Sequence, residues 1–184
     1  VFAWRCLLHC HAHTSTHDRQ LALMFKATIL AAAMGLLLCS TAVQAELEQA
    51  RDLMDAGQYR AAYEELWPAA RSGNAEAEEL IGVMYAMGLG VEQDDERAFE
   101  WYLRSAMKGH AGAQSGIGWY YETGRGMPSV DLVRAYMWYT LSAIGGDPDA
   151  AISLEEVTKK MNRQQIDAAH VLIDDYKVWL YPFR

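Results

Sequence analysis

From Glu46 to Arg184 the sequence contains no cysteine, since Cys6, Cys10 and Cys39 all lie upstream. That stretch can form no disulfide and supports no thiol chemistry, so packing must hold it together. At 139 residues it is long enough to bury a sizeable core. Basic residues are scarce as well. The whole chain has 16 Lys and Arg against 24 Asp and Glu, a net charge of −8. From Glu46 onward the counts are 13 and 23, a net charge of −10. Nucleic-acid binding, which needs clustered cations to meet phosphates, is excluded as an expectation. Of six histidines only His110 and His170 follow Glu46. The longest apolar run, Ala27–Cys39, has 13 residues. A membrane helix needs about 20, so no stable membrane insertion is expected once that run is removed.

That run belongs to a pattern. Met24 opens "MFKATILAAAMGLLLCSTAVQA", with Lys26 as a positive flank, the apolar core next, and Val43-Gln44-Ala45 supplying small or modest residues before a cut. This predicts a cleavable export signal over 24–45, cut between Ala45 and Glu46. It points to a secreted protein of the periplasm of a Gram-negative bacterium. A lipoprotein signal on Cys39 fits poorly, because Leu38 precedes it. Residues 1–23 hold Cys6, His9, Cys10, His11, His13 and His17. Those types could bind zinc or copper within a fold, but the stretch reads as a leader upstream of Met24. We expect no metal site and no cofactor.

What remains repeats itself. "VMYAMGLGVEQDDERAFEWY" at 83–102 and "WYYETGRGMPSVDLVRAYMWY" at 119–139 both run Tyr, Gly-x-Gly, acid, Ala-x-x-Trp-Tyr. An offset of 36 pairs Ala77 with Ala113, Ile81 with Ile117, Gly82 with Gly118, Tyr85 with Tyr121, Gly88 with Gly124 and Gly90 with Gly126. After one inserted residue the offset is 37, pairing Ala98 with Ala135, Trp101 with Trp138, Tyr102 with Tyr139 and Gly109 with Gly146. Ala62, Ala70 and Gly73 mark a partial earlier copy. Segment 46–184 is thus expected to be one domain: a partial repeat at 46–74, repeats at 75–110 and 111–147, and a cap at 148–184.

Each copy has helical spacing. Positions 98, 101, 102, 105 and 106 form one helix face, and 77, 81, 84 and 85 another. Asp94 and Asp131 are placed to cap second helices. A phosphate-binding glycine loop follows a strand and opens a helix. Here Gly88-Leu89-Gly90 and Gly124-Arg125-Gly126 follow helices, so they are expected to end them in the left-handed conformation. Gly82 and Gly118, inside helices, predict close approach of a neighbour. In the third copy a helix starts near Asp149, Glu155 replaces the helix glycine, and Asn162-x-x-Gln165 offers a capping box. The apolar "VWLYPFR" tail is expected to pack on this cap, or else to dock a partner.

Little catalytic chemistry is visible. Glu76, Glu78 and Glu79, and Glu92, Asp94, Asp95 and Glu96, sit in first turns, where the helix dipole favours acids, and read as solvated. Ser115 lies within a helix and not on a nucleophile elbow. His110 reads as a turn residue and His170 as a residue of the closing helix.

"AEAEELIGVMYAMGLGVEQDDERAFEWYLRSAMKGH" resembles a unit of the Sel-one-like repeat family, a branch of the tetratricopeptide-like superfamily. "GQYRAAYEELWPAARSGNAEAE" resembles its opening partial unit and "MNRQQIDAAHVLID" its closing helix. The resemblance covers roughly residues 50–175. It implies an all-α fold, a short right-handed α-solenoid of antiparallel helix pairs, and a role in protein–protein assembly. Positions unmatched between the repeats should then face a groove. These are Leu80, Val83 and Met87 on one helix and Gly116, Trp119 and Thr123 on the next. The expected partner is another protein, presenting a helix or an extended segment. The alternative is a hydrolase acting on cell wall or β-lactam, with Glu78 or Glu79 taking part. A disulfide-rich branch of the family is linked to β-lactam binding, but its cysteine pair per repeat is missing here.

Overall fold

Among the described residues the helical spacing is realised in eight helices. The structure, a computed structural model, describes residues 44–126 and 128–180. They are α1 (44–55), α2 (Tyr59–Ser72), α3 (Ala75–Met87), α4 (Asp95–Ala106), α5 (Ala111–Thr123), α6 (Leu132–Gly145), α7 (Ala150–Lys159) and α8 (Arg163–Leu180). Among the described residues there is no strand, and no helix is long and apolar enough to cross a membrane. From Glu46 onward the described residues form one compact unit. The Cys/His leader, the export signal as far as Val43, and Tyr181–Arg184 of the tail lie outside the described residues. Ala45 and Glu46, the expected cleavage pair, are exposed in the first turn of α1.

Short connections make successive helices antiparallel neighbours. The most extensive packing joins α3 to α4 and α5 to α6, the two helices of each full repeat. The repeats are then stacked by α2 on α3, α4 on α5 and α6 on α7, and α8 closes the array against α6. Matched positions fill the seams. Ala62, Ala77, Ile81, Ala98, Ala106, Ala113, Ile117 and Ala135 are fully buried.

Local signals place the ends. Asp94 and Asp131 accept the backbone N–H of Arg97 and Arg134, each at 3.0 Å. Such a cap contributes about 1 kcal/mol. Asn162 and Gln165 exchange reciprocal bonds at 2.9 Å, forming the expected capping box. Gly88 and Gly124 end α3 and α5 with φ of 70° and 68°. The second glycine of each loop serves contact between repeats. A Cβ at Gly90 would lie 2.6 Å from the backbone of Tyr59 and Arg60, and one at Gly126 would lie 3.0 Å from Asp95 Cβ. Each loop therefore rests on the first turn of the preceding pair's second helix, which only glycine permits.

Gly82 and Gly118 give the close approach expected of them. Added Cβ atoms would lie 3.1 Å from the Tyr102 ring and 2.7 Å from the Tyr139 ring. Serine supplies another lock: Ser105 Oγ donates to Ala75 O at 2.6 Å, and Ser142 Oγ to Ala111 O at 2.8 Å. These equivalent bonds tie the last turn of each second helix to the first turn of its partner. At the C-terminal end Tyr176 of α8 stacks edge-on against Trp138, with ring centroids 5.3 Å apart, and its hydroxyl donates to Met107 Sδ. The closing helix thus spans from α6 to the end of α4.

Candidate interaction face

Stacking uses one side of α3 and α5. At 3.6 residues per turn, buried Ala77, Glu78, Ile81, Gly82, Met84 and Tyr85 share one side of α3. Glu76, Glu79, Val83 and Met87 fall on the other. The same register on α5 puts Gly112, Ser115, Trp119 and Thr123 on its outer side. Met87 is 67% exposed and Trp119 40%. Thr123 is exposed and its hydroxyl donates to Trp119 O at 2.8 Å. Leu80 and Val83 are half-buried.

Gly116 does not belong to this face. Its absent Cβ would lie 3.0 Å from Cδ1 and Cε1 of Tyr102, so it packs back onto the preceding repeat. One large ring fills the notch of its own repeat, at Gly82, and the notch of the next, at Gly116. A residue unmatched between repeats can therefore still be part of the stack.

Trp119 is held from beside. The Arg125 guanidinium lies 5.7 Å from its ring centroid, and Arg125 Nε donates to Asp95 Oδ2 at 2.8 Å. Asp95 also accepts the Tyr120 hydroxyl at 3.3 Å. This cation–π contact leaves the ring exposed while limiting its rotamers. Trp and Met are favoured in contact anchors, because a rigid ring and an adaptable thioether bury much area at low ordering cost.

The first-turn acids are not uniformly solvated, contrary to the expectation from sequence. Glu78 is fully buried. Its carboxylate lies 2.9 Å from Arg104 Nη2 and also pairs with Lys108, which donates to Gly73 O at 2.8 Å. Glu76 pairs with Arg51 of α1. Glu79 is half-buried, and desolvation raises its pKa above the ordinary 4.5. The signal for Glu78 was present in the repeat register. Positions 78, 104 and 108 become Gln114, Leu141 and Gly145 in the next copy, so the acid and both cations vanish together.

The remaining candidates are dispersed. His110 precedes α5 without a side-chain cap, and its Nδ1 is buried with no hydrogen-bond partner among the described residues. His170 lies on α8 with Nε2 3.3 Å from the Tyr136 hydroxyl. Ser115 is inside α5. Among the described residues no group of three His, Cys, Asp or Glu is placed to hold a metal ion.

The glycine-punctuated helix pairs, each with a tyrosine ring over its helix notch, span 75–147. A family profile described as the Sel1 repeat matches residues 75–110 and 111–147. The chain carries two Sel1 repeats, at 75–110 and 111–147. Its structure is similar to that of a protective antigen present in uropathogenic Escherichia coli strains and displaying an SLR fold. There the TM-score is 0.71 and the identity 23%, over 76% of this chain and 31% of that one. It is also similar to a Sel1 repeat protein from Oxalobacter formigenes, at 28% identity and a TM-score of 0.58, over 75% of this chain and 59% of that one. Among curated proteins it is 32% identical over 120 residues to an Arabidopsis thaliana protein, the ERAD-associated E3 ubiquitin-protein ligase component HRD3A. That match covers 63% of this chain and 17% of the relative. It is 31% identical over 94 residues to the alginate biosynthesis protein AlgK of Azotobacter vinelandii, covering 51% and 20%. The chain therefore spans a fifth or less of the curated relatives it matches.

Proposed function

We propose that this Sel1 repeat protein is an exported, non-enzymatic adaptor. It captures a helix or extended segment of another protein on the outer side of α3 and α5. The observation that carries this reading is the exposure of Met87 and Trp119, with half-buried Val83, on the side turned away from the buried seam. An apolar helix face of this kind is what a partner's side chains bury in groove recognition. Sel1 repeat proteins commonly bind proteins, and two of the relatives are by name components of a ligase assembly and of polysaccharide biosynthesis. Export rests on the 24–45 segment. The adaptor reading rests on dispersed titratable groups, with Glu78 neutralised inside the stack, His110 at the end of the first full repeat and His170 on the closing helix.

The test replaces Met87 and Trp119 together by alanine in the full protein. Partner capture is expected to be lost while circular dichroism shows unchanged helical content. Capture that survives contradicts the assignment of this face. Incubation with peptidoglycan and a chromogenic β-lactam should show no turnover. Turnover abolished by Glu79→Gln would contradict the non-enzymatic reading.

A further inference from the structure

Charge is divided unevenly between the first and second helices of the repeats. α3 carries Glu76, Glu78 and Glu79, α5 carries Glu122, and neither has a lysine or arginine. Three of these four carboxylates have partners. Glu78 meets Arg104 and Lys108, Glu76 meets Arg51, and Glu122 meets Lys160 at 2.7 Å and accepts the Tyr139 hydroxyl at 2.7 Å. Glu79 has none: among the described residues no hydrogen bond or ion pair reaches it.

Its setting leaves it half-buried. A Cβ at Gly112 would lie 3.1 Å from Glu79 Oε1 and 3.7 Å from His110 Cε1. The carboxyl group therefore sits in a notch where α5 has no side chain. Burial disfavours its charge most strongly, His110 and then Arg51 oppose that, and Asp147 adds to it. Burial pushes the pKa of the Tyr102 hydroxyl up, and the Glu79 charge adds to that. A half-buried carboxylate without a donor gains more from a cation than a solvated one, because much of its desolvation has already been incurred. Glu79 also lies one turn from Val83, on the side that carries Met87.

We propose that Glu79 is the charged anchor of this face. The partner presents a lysine or arginine to Glu79 beside an apolar side chain that covers Val83, Met87 and Trp119. The proposal rests on the adaptor reading above and names the chemistry of what is captured. Charge complementarity favours a basic segment over an acidic one. The cations bordering the face, Arg51, Arg125 and Lys160, are already paired with Glu76, Asp95 and Glu122, so an incoming carboxylate would find no unpaired donor among them.

The test uses three fluorescein-labelled amphipathic helical peptides with the same leucine face and lysine, glutamine or glutamate on the polar face. Affinities are measured by anisotropy against wild type, Glu79→Gln, Glu96→Gln and the Met87→Ala/Trp119→Ala double variant. Glu96 is exposed on α4, so its substitution makes the same change in net charge away from the face. We expect Glu79→Gln to weaken binding of the lysine peptide about tenfold while leaving the glutamine peptide unchanged. Glu96→Gln should keep the preference, and the double variant should weaken both peptides. Equal losses in the two glutamine variants, or no loss in Glu79→Gln, overturns the anchor and leaves the face standing. Undiminished binding by the double variant, or no binding of any peptide, overturns the face and the anchor together.

Discussion

In the first full repeat the carboxylate of Glu78 is fully buried between Arg104 and Lys108, whereas the equivalent positions of the second repeat are Gln114, Leu141 and Gly145. Gln114 is also buried, but it makes a single bond, from Nε2 to Ala106 O at 3.2 Å, and its Oε1 has no partner among the described residues. Around this difference the repeats agree. Ser105 and Ser142 make the same lock, Tyr102 and Tyr139 fill the same notch, and Arg97 and Arg134 lie over Tyr85 and Tyr121 at the same 5.7 Å. Backbone geometry thus depends on the matched small and aromatic residues. The polar interior can change, provided the acid and its cations change as a set.

The largest expected effect breaks that set. Replacing Arg104 and Lys108 by alanine leaves Glu78 buried without a counter-charge. Urea denaturation should show a loss of about 2–3 kcal/mol, toward the low end for a buried pair because both cations are partly exposed. Converting the trio to that of the second repeat, Glu78→Gln with Arg104→Leu and Lys108→Gly, should cost less than about 1 kcal/mol, since no charge is stranded. A cost as large as that of the cation double variant would show that the ions shape the repeat and do not simply replace an uncharged set.

A smaller effect separates the two notches. Gly118→Ala meets the Tyr139 ring at 2.7 Å and should cost about 2 kcal/mol, whereas Gly82→Ala meets Tyr102 at 3.1 Å and should cost about 1 kcal/mol. Thermal unfolding of both variants gives the order directly.

The smallest effect concerns Glu79. Its pKa is raised in the folded state, so folding favours the protonated form. The stability this contributes is fully present below the ordinary value of 4.5 and is lost as pH rises through the raised folded value. Glu79→Gln should therefore be slightly more stable than wild type above that window, with the gap closing at acid pH. Unfolding curves across the carboxylate range check this, and a gap that widens on acidification contradicts it.

Much of the fold could be read in the chain. The offset between Gly82 and Gly118 fixed the helix seams, and Asp94, Asp131 and Asn162 marked helix starts because a short side chain reaches its own first turn. Local chemistry was enough there. Glu78 and Gly116 were misplaced for a shared reason, since each is decided by residues of another helix. Acids in a first turn look solvated until Arg104 of α4 and Lys108 of the turn after it arrive. An unmatched glycine looks free until the Tyr102 ring spans two repeats. Pairing identical positions shows what every repeat needs, and it is silent on what one repeat does to the next.

The central claim is that the outer side of α3 and α5 is where a partner lies. A photo-crosslinking aromatic residue at position 119, compared with the same residue at exposed Ala61 of α2, tests it in cells that naturally produce the protein. The account predicts a discrete protein adduct from position 119 that is absent from position 61 and disappears with Met87→Ala. The same adducts from both positions, or an adduct from position 61 alone, would contradict it.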